Sequence, residues 1–150
     1  MELILWRHAE AEDGVQDHER RLTDKGVRQA KKMAAFLRSR LPDNTHILVS
    51  PAVRAQQTAQ ALTREFDIEP AIAPGALPQD VLKTAEWPTG DGSVLVVGHQ
   101  PYLGETAALL LADSQMTFSI KKSAVWWLSC RDRNGDLQTA LRLAISPEFL

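Results

Sequence analysis

Cysteine is almost absent from this chain: Cys130 is the only one in 150 residues. A single thiol excludes an internal disulfide framework and any CxxC metal site. An excess of either charge is also missing. The net charge of −2 excludes a broad basic footprint for nucleic acid or an anionic membrane, while leaving room for a small basic pocket. Long hydrophobic runs are lacking. The apolar stretch after Met1-Glu2 is too short for a membrane span and has no basic segment before it, so a reducing cytoplasm is the expected location. HxxxH and HxH spacings do not occur, and neither Gly98 nor Gly104 is followed by Gly-Lys-Ser/Thr. Zinc ligation and a P-loop are therefore not expected, nor is any cofactor. There are no repeats or long linkers. The length suits one domain over residues 1–150, and a 44% hydrophobic content suits a packed core.

What is present is an alternation of strand and helix signals. Leu3 to Trp6 is apolar throughout, as in a strand covered on both faces. Thr23 is an N-cap candidate for a helix with Val27, Ala30, Met33, Ala34, Leu37 and Leu41 in period. Pro42 ends it. Ile47-Leu48-Val49 is a second buried strand. Ser50-Pro51 then has the pattern of N-cap and first helical residue, with Val53, Thr58, Ala61, Leu62 and Phe66 facing inward. Pro70 to Pro78 suggests an extended connection with a short edge strand. Val81, Leu82 and Ala85 suit a short helix. Ser93 to Val97 is the clearest buried strand, and a helix follows from Pro101 through Leu111. Ser123 to Cys130 and Leu137 to Ile145 flank Asn134-Gly135, a type I′ hairpin signal. These elements predict a single three-layer α/β domain. Its central sheet is largely parallel, helices cover both faces, and a β-hairpin closes the C-terminal end.

Open α/β sheets bind ligands beyond the carboxyl ends of their strands. Three strands here end in reactive residue types. The first delivers Arg7-His8, the second leads to Ser50 and Arg54, and another delivers Gly98-His99. Core packing does not call for a histidine at the rim of a sheet. Two histidines and two arginines converging there suggest an anion site capable of covalent chemistry. Arginine binds phosphate oxygens in bidentate fashion and keeps its charge. Nearby guanidinium groups keep imidazole neutral, and neutral imidazole is a nucleophile toward phosphorus. A second histidine can donate to a non-bridging oxygen as charge builds. Each residue alone has a plainer reading: a capped strand end for His8 or His99, a solvated helix position for Arg54. His18 and His46 keep such readings, in a polar loop and at a strand entry. Trp126-Trp127 suggests rings on opposite faces, and Cys130 a small buried hydrophobe.

Together these residues resemble a known family. Leu5-Trp6-Arg7-His8-Ala9 resembles the RHG signature of the histidine phosphatase superfamily, which has the phosphoglycerate mutase-like fold. Ser50-Pro51-Ala52-Val53-Arg54-Ala55-Gln56-Gln57-Thr58-Ala59 resembles its SPxxRAxQTA segment. Val97-Gly98-His99 resembles its third motif, and Arg20-Arg21-Leu22-Thr23-Asp24-Lys25-Gly26 its RxLTxxG segment. Order and spacing agree from residue 3 to about 105, and the chain is most similar to the short SixA-type phosphohistidine phosphatases. The resemblance implies that His8 is the nucleophile carrying a transient phosphohistidine. It implies that Arg7, Arg54 and His99 form the phosphate pocket and that Arg20 contacts phosphate too.

Two features depart from the family pattern. Ala9 replaces the glycine of RHG, which matters if that position needs positive φ. Larger members carry a carboxylic acid that protonates the leaving oxygen, but Pro74-Gly75-Ala76-Leu77-Pro78 contains none. Asp80, Glu10 and Asp17 are the candidates left. An imidazole leaving group needs less help from an acid than an alkoxide does. The implied activity is thus a phosphoric-monoester or phosphoramidate hydrolase, acting on phosphohistidine of a phosphotransfer protein. The short stretch between Arg54 and His99 leaves little to fold over the site, which suits a protein substrate. The alternatives are a small-molecule phosphomonoesterase of the same superfamily and a phosphate-binding module without turnover.

Overall fold

A computed structural model describes residues 1–150. The apolar N-terminal run forms β1 (Glu2–Arg7), in which Leu3, Ile4, Leu5 and Trp6 have no solvent exposure. It lies in a six-stranded sheet with β2 (His46–Val49), β3 (Asp67–Ile68), β4 (Ser93–Gly98), β5 (Val125–Arg133) and β6 (Asp136–Ile145). The order is β3-β2-β4-β1-β5-β6. The first four strands in that order run parallel, while β5 and β6 are antiparallel to their neighbours. Because side chains alternate along a strand, β1 feeds two cores. Leu3 and Leu5 join Val81 of α3 (Pro78–Thr84) and Tyr102, Leu103 and Ala107 of α4 (Tyr102–Ala112). Ile4 and Trp6 join Met33, Ala34 and Leu37 of α1 (Asp24–Arg38) and Ala55 and Ala59 of α2 (Val53–Gln60). This is the three-layer arrangement expected, with helices on both faces.

Local signals account for several boundaries. The Thr23 hydroxyl accepts the Gly26 N–H at 2.9 Å and caps α1. Asn134 and Gly135 have φ of 57° and 89° between the paired residues Arg133 and Asp136, as a type I′ turn requires. Trp127 is buried in the α1-side core, and Trp126 packs on the α4 side. His46 sits at a strand entry, paired with Asp67, and His18 lies in an exposed 3₁₀ turn (Asp17–Glu19).

Other expectations are corrected. The helix after Ser50-Pro51 starts at Val53, with Ala52 as N-cap. The Ser50 hydroxyl lies 2.7 Å from His99 and is not used on the free N–H groups of the first helical turn. That helix also ends at Gln60, so Leu62 and Phe66 lie beyond it. Its buried residues are Arg54, Ala55, Thr58 and Ala59, because its inner face meets the polar rim of the sheet. On α1, Gly26 faces inward and Val27 is exposed. Residues 70–78 are not simply extended: Pro70–Ile72 forms a 3₁₀ turn, and the edge strand precedes it. No helix is long and apolar enough to cross a membrane.

Gly98, where β4 ends, has a neighbour that explains it. A β-carbon there would lie 2.0 Å from the Tyr102 hydroxyl, which donates to the Ile72 carbonyl at 2.6 Å from a fully buried ring. Gly98→Ala is expected to destabilise the fold by ~1–3 kcal/mol through overpacking. An unchanged urea midpoint would refute this.

Candidate active site

The parallel strands β1, β2 and β4 end on one edge of the sheet, and their ladder continues one residue past them. The His8 N–H donates to Gly98 O, and the Ser50 N–H donates to Val97 O, both at 3.0 Å. His8, Ser50 and His99 are thereby set side by side at the carboxyl edge.

Each ring has a defined orientation. His8 Nδ1 lies 2.7 Å from the carbonyl of Ala9. A carbonyl only accepts, so Nδ1 carries the proton and Nε2 keeps its lone pair. The next residue is fixed in turn: Ala9 N–H donates to Thr58 Oγ1 at 3.0 Å, and Thr58 donates to the Arg54 carbonyl at 2.7 Å. Ala9 is not among the residues with positive φ, so the missing glycine costs no backbone strain. His99 Nε2 lies 2.7 Å from Ser50 Oγ. That oxygen also accepts the Ala52 N–H; where the serine hydroxyl donates to Nε2, the imidazole proton sits on Nδ1. The two histidine rings are 5.1 Å apart, centroid to centroid.

The cations are placed by longer-range contacts. Arg54 is only 4% exposed, and its Nε approaches His8 Nε2 at 3.4 Å. Its two terminal nitrogens donate to Asp17, to the carbonyl at 2.7 Å and to the carboxylate at 3.2 Å. Arg20 reaches the other oxygen of the same carboxylate at 3.1 Å and the Glu12 carbonyl at 2.8 Å. Arg7 donates to the Ile120 carbonyl at 2.9 Å. Arg7 Nε and His99 Nδ1 are buried without a hydrogen-bond partner. Buried polar groups are nearly always paired, so both have bonding capacity left for an anion.

Burial, with Arg54, Arg7 and Arg20 nearby, holds the His8 pKa down at about 4, against a weaker opposing effect of the Ala9 carbonyl. Burial, His8 and Arg54 hold His99 down at about 3. Both rings are neutral at pH 7. The Arg20 hydrogen bond holds the Asp17 carboxyl below its usual range, so it is ionised.

Of the predicted residues, Arg7, His8, Arg54 and His99 come together, and Arg20 joins them through Asp17. The candidate acids separate. Asp17 is at the site as a carboxylate. Glu10 accepts from Thr23 Oγ1 at 3.1 Å beside the start of α1. Asp80 accepts the Leu77 N–H at 2.9 Å and caps the start of α3. Sequence reasoning missed Ser50 as the partner of His99, and Thr58 as the link from Arg54 to Ala9. One signal was available for Thr58: it follows Arg54 by one helical turn.

Comparisons with known proteins identify the family of the chain. Residues 3–76 match the sequence model of the Histidine phosphatase superfamily (branch 1). The chain is 34% identical over 126 residues to a phosphohistidine phosphatase SixA homolog of Haemophilus influenzae, covering 73% of this chain and 77% of that one. It is 30% identical over 119 residues to phosphohistidine phosphatase SixA of Escherichia coli, covering 73% and 74%. Among solved structures, the protein histidine phosphatase SixA complexed with tungstate superposes with a TM-score of 0.81 at 26% identity, covering 99% of each chain.

Proposed function

This chain belongs to branch 1 of the histidine phosphatase superfamily, and from that premise we propose that it hydrolyses phosphohistidine on a protein through a phosphoenzyme formed on His8. One observation carries the reading. A neutral imidazole has an unprotonated Nε2 whose one contact is the long 3.4 Å approach of Arg54 Nε–H, and two buried nitrogens without partners, Arg7 Nε and His99 Nδ1, belong to the same site.

The chemistry derives from these groups. The phosphoryl oxygens bind to Arg7, Arg54 and His99, with Arg20 as an outer contact. The His8 Nε2 pair attacks phosphorus in line as the substrate P–N bond breaks. The substrate ring, protonated on its other nitrogen, leaves as neutral imidazole. Water then attacks the phosphorus on His8, the His8 P–N bond breaks, and inorganic phosphate departs with the protons of that water. No step requires a protonated carboxylic acid, which fits an ionised Asp17 and an Asp80 held at a helix start. An ester oxygen would need such an acid. The connection between α2 and β4 supports a protein substrate. It holds β3, a 3₁₀ turn and α3, and α3 is packed into the core rather than over the site.

Initial rates should favour a phosphohistidine peptide over a sugar phosphate, whose alkoxide must be protonated to leave, by about 10²-fold or more in kcat/KM, the usual scale of an absent acid. Efficient hydrolysis of sugar phosphates with none of phosphohistidine would overturn the reading. The protonation state has its own check. The imidazole nitrogens of His8, followed by ¹⁵N NMR, should stay in the neutral Nδ1–H form from pH 8 to pH 5 and titrate at about 4. Titration near 6.5 would contradict the burial argument.

A further inference from the structure

The site does not stop at Arg7. From that side chain a cleft of about 370 Å³ runs between the first turn of α1, the segment 119–122 and residues 146–148, and Lys25, Lys121 and Lys122 line it. An adjoining cleft of about 360 Å³ adds Arg28 and Lys32. Against these lysines and arginines stand only two carboxylates, Glu10 and Glu148. Their ion pairs are loose, 3.8 Å for Lys25–Glu10 and 3.4 Å for Lys121–Glu148, and Lys25 and Lys121 remain 65% and 71% exposed. In a chain of net charge −2, this is a local concentration of positive charge beside Arg7 and the proposed phosphate site.

Lys121 also borders a third cleft, of about 450 Å³, that shares Ser119 and Ser146 with the first and is mainly apolar. Ala124, Trp126, Ala144, Ile145 and Phe149 line it. Phe149 is 76% exposed, and Phe118 packs on Trp126 with centroids 5.2 Å apart. The surface therefore runs from Arg7, through a cationic stretch, to an aromatic shelf. Neither part is needed to hold phosphate.

We propose that this face docks the protein that carries the phosphohistidine, and that the partner surface around its phosphorylated residue is acidic, with an apolar side chain placed to reach the Trp126–Phe149 shelf. The inference rests on the function proposed above and adds the character of the substrate. Charge complementarity selects the partner, since rim cations speed encounter and reject like-charged surfaces. A nucleic acid would leave the aromatic shelf without a role and would meet the acidic remainder of the chain. A bilayer needs several apolar side chains that protrude, whereas of the large apolar side chains lining this cleft Phe149 alone is largely exposed, and Trp126, Ala144 and Ile145 line a concavity that shares Ser119 and Ser146 with the cationic cleft.

The test uses two phosphohistidine peptides, one flanked by glutamates with a single leucine and one flanked by lysines, together with free phosphohistidine. Wild-type kcat/KM should favour the acidic peptide by about tenfold, mainly through KM, and the preference should shrink as salt is raised. Lys121→Glu combined with Lys122→Glu should abolish or invert it, and Phe149→Ser should raise KM for the acidic peptide. Free phosphohistidine should be turned over equally by all three proteins. Equal use of both peptides by the wild type, or a preference that survives the double substitution, would overturn the proposal. So would lysine-dependent binding to phosphatidylglycerol vesicles or to single-stranded DNA that matches binding of the acidic peptide. Fluorescence anisotropy of the acidic peptide without its phosphoryl group separates the two readings. Binding that is lost in the double variant supports docking even if no phosphohistidine is hydrolysed, a result that would sink the catalytic reading alone. Absence of that binding from the wild type would sink the docking face.

Discussion

His8→Ala is expected to lower kcat on a phosphohistidine peptide by at least ~10³-fold, the scale seen when a catalytic nucleophile is removed. It should also eliminate the acid-labile radiolabel that rapid quenching traps on the wild-type protein. Label retained by the variant would place the covalent step elsewhere. The substitution should not unfold the protein, because the ring it removes is one that folding holds in an unfavourable environment for its charged form. The folded pKa of about 4 lies below the unfolded value near 6.5, so the unfolded chain binds the proton first as pH falls. Stability is therefore lost between about pH 6.5 and pH 4 and levels off below that. His8→Ala should weaken this dependence and His99 should sustain the rest, since its own pKa is held at about 3. Urea midpoints measured at pH 7, 6, 5 and 4 would reveal both effects, and identical slopes for the variant and the wild type would contradict them.

Arg54→Ala is expected to reduce kcat/KM by about 10²–10³-fold, as loss of a preorganised group facing developing phosphoryl charge does elsewhere. Arg54→Lys should recover only a small part of it. Lysine keeps the charge but loses the planar fork, and three of the guanidinium nitrogens are engaged here, toward His8 Nε2, the Asp17 carbonyl and the Asp17 carboxylate. Arg20→Lys should have a milder effect, because Arg20 is more exposed and meets the site through Asp17. Steady-state rates alongside tungstate titration distinguish the two arginines. If Arg54→Lys retained activity within a few-fold of wild type, the fork would have no role.

How far the pattern of residues could be read differs across the site. The apolar runs Leu3–Trp6 and Val94–Val97 marked strands buried on both faces, and the residues after each run must emerge at the edge of the sheet. His8 and His99 were therefore legible at once. Arg54 was placed on the helix after Ser50-Pro51, whose inner face was expected to carry Val53, Thr58, Ala61, Leu62 and Phe66. The structure turns Arg54, Ala55, Thr58 and Ala59 inward, because that face meets strand ends with polar groups to satisfy. Ser50 had the chemistry of a helix cap and serves as the partner of His99 instead. A hydroxyl turns to the stronger acceptor brought near it, and no local rule states which acceptor that will be.

The three candidate carboxylates show where this boundary lies. In the sequence Asp80 stood nearest to the segment that lacks the acid, with Glu10 and Asp17 as the residues able to reach from the first loop. Folding lays the loop after β1 across α2, so Asp17 meets Arg54, from which it is separated by 37 residues of chain. Glu10 turns to Thr23, and Asp80 to its own helix. Strand, helix and hairpin identity come from periodicity and turn chemistry, which act over a few residues. The charge state of His8, the ionisation of Asp17 and the two nitrogens left without partners depend on burial and on contacts between distant segments. These exist only once the layers have packed.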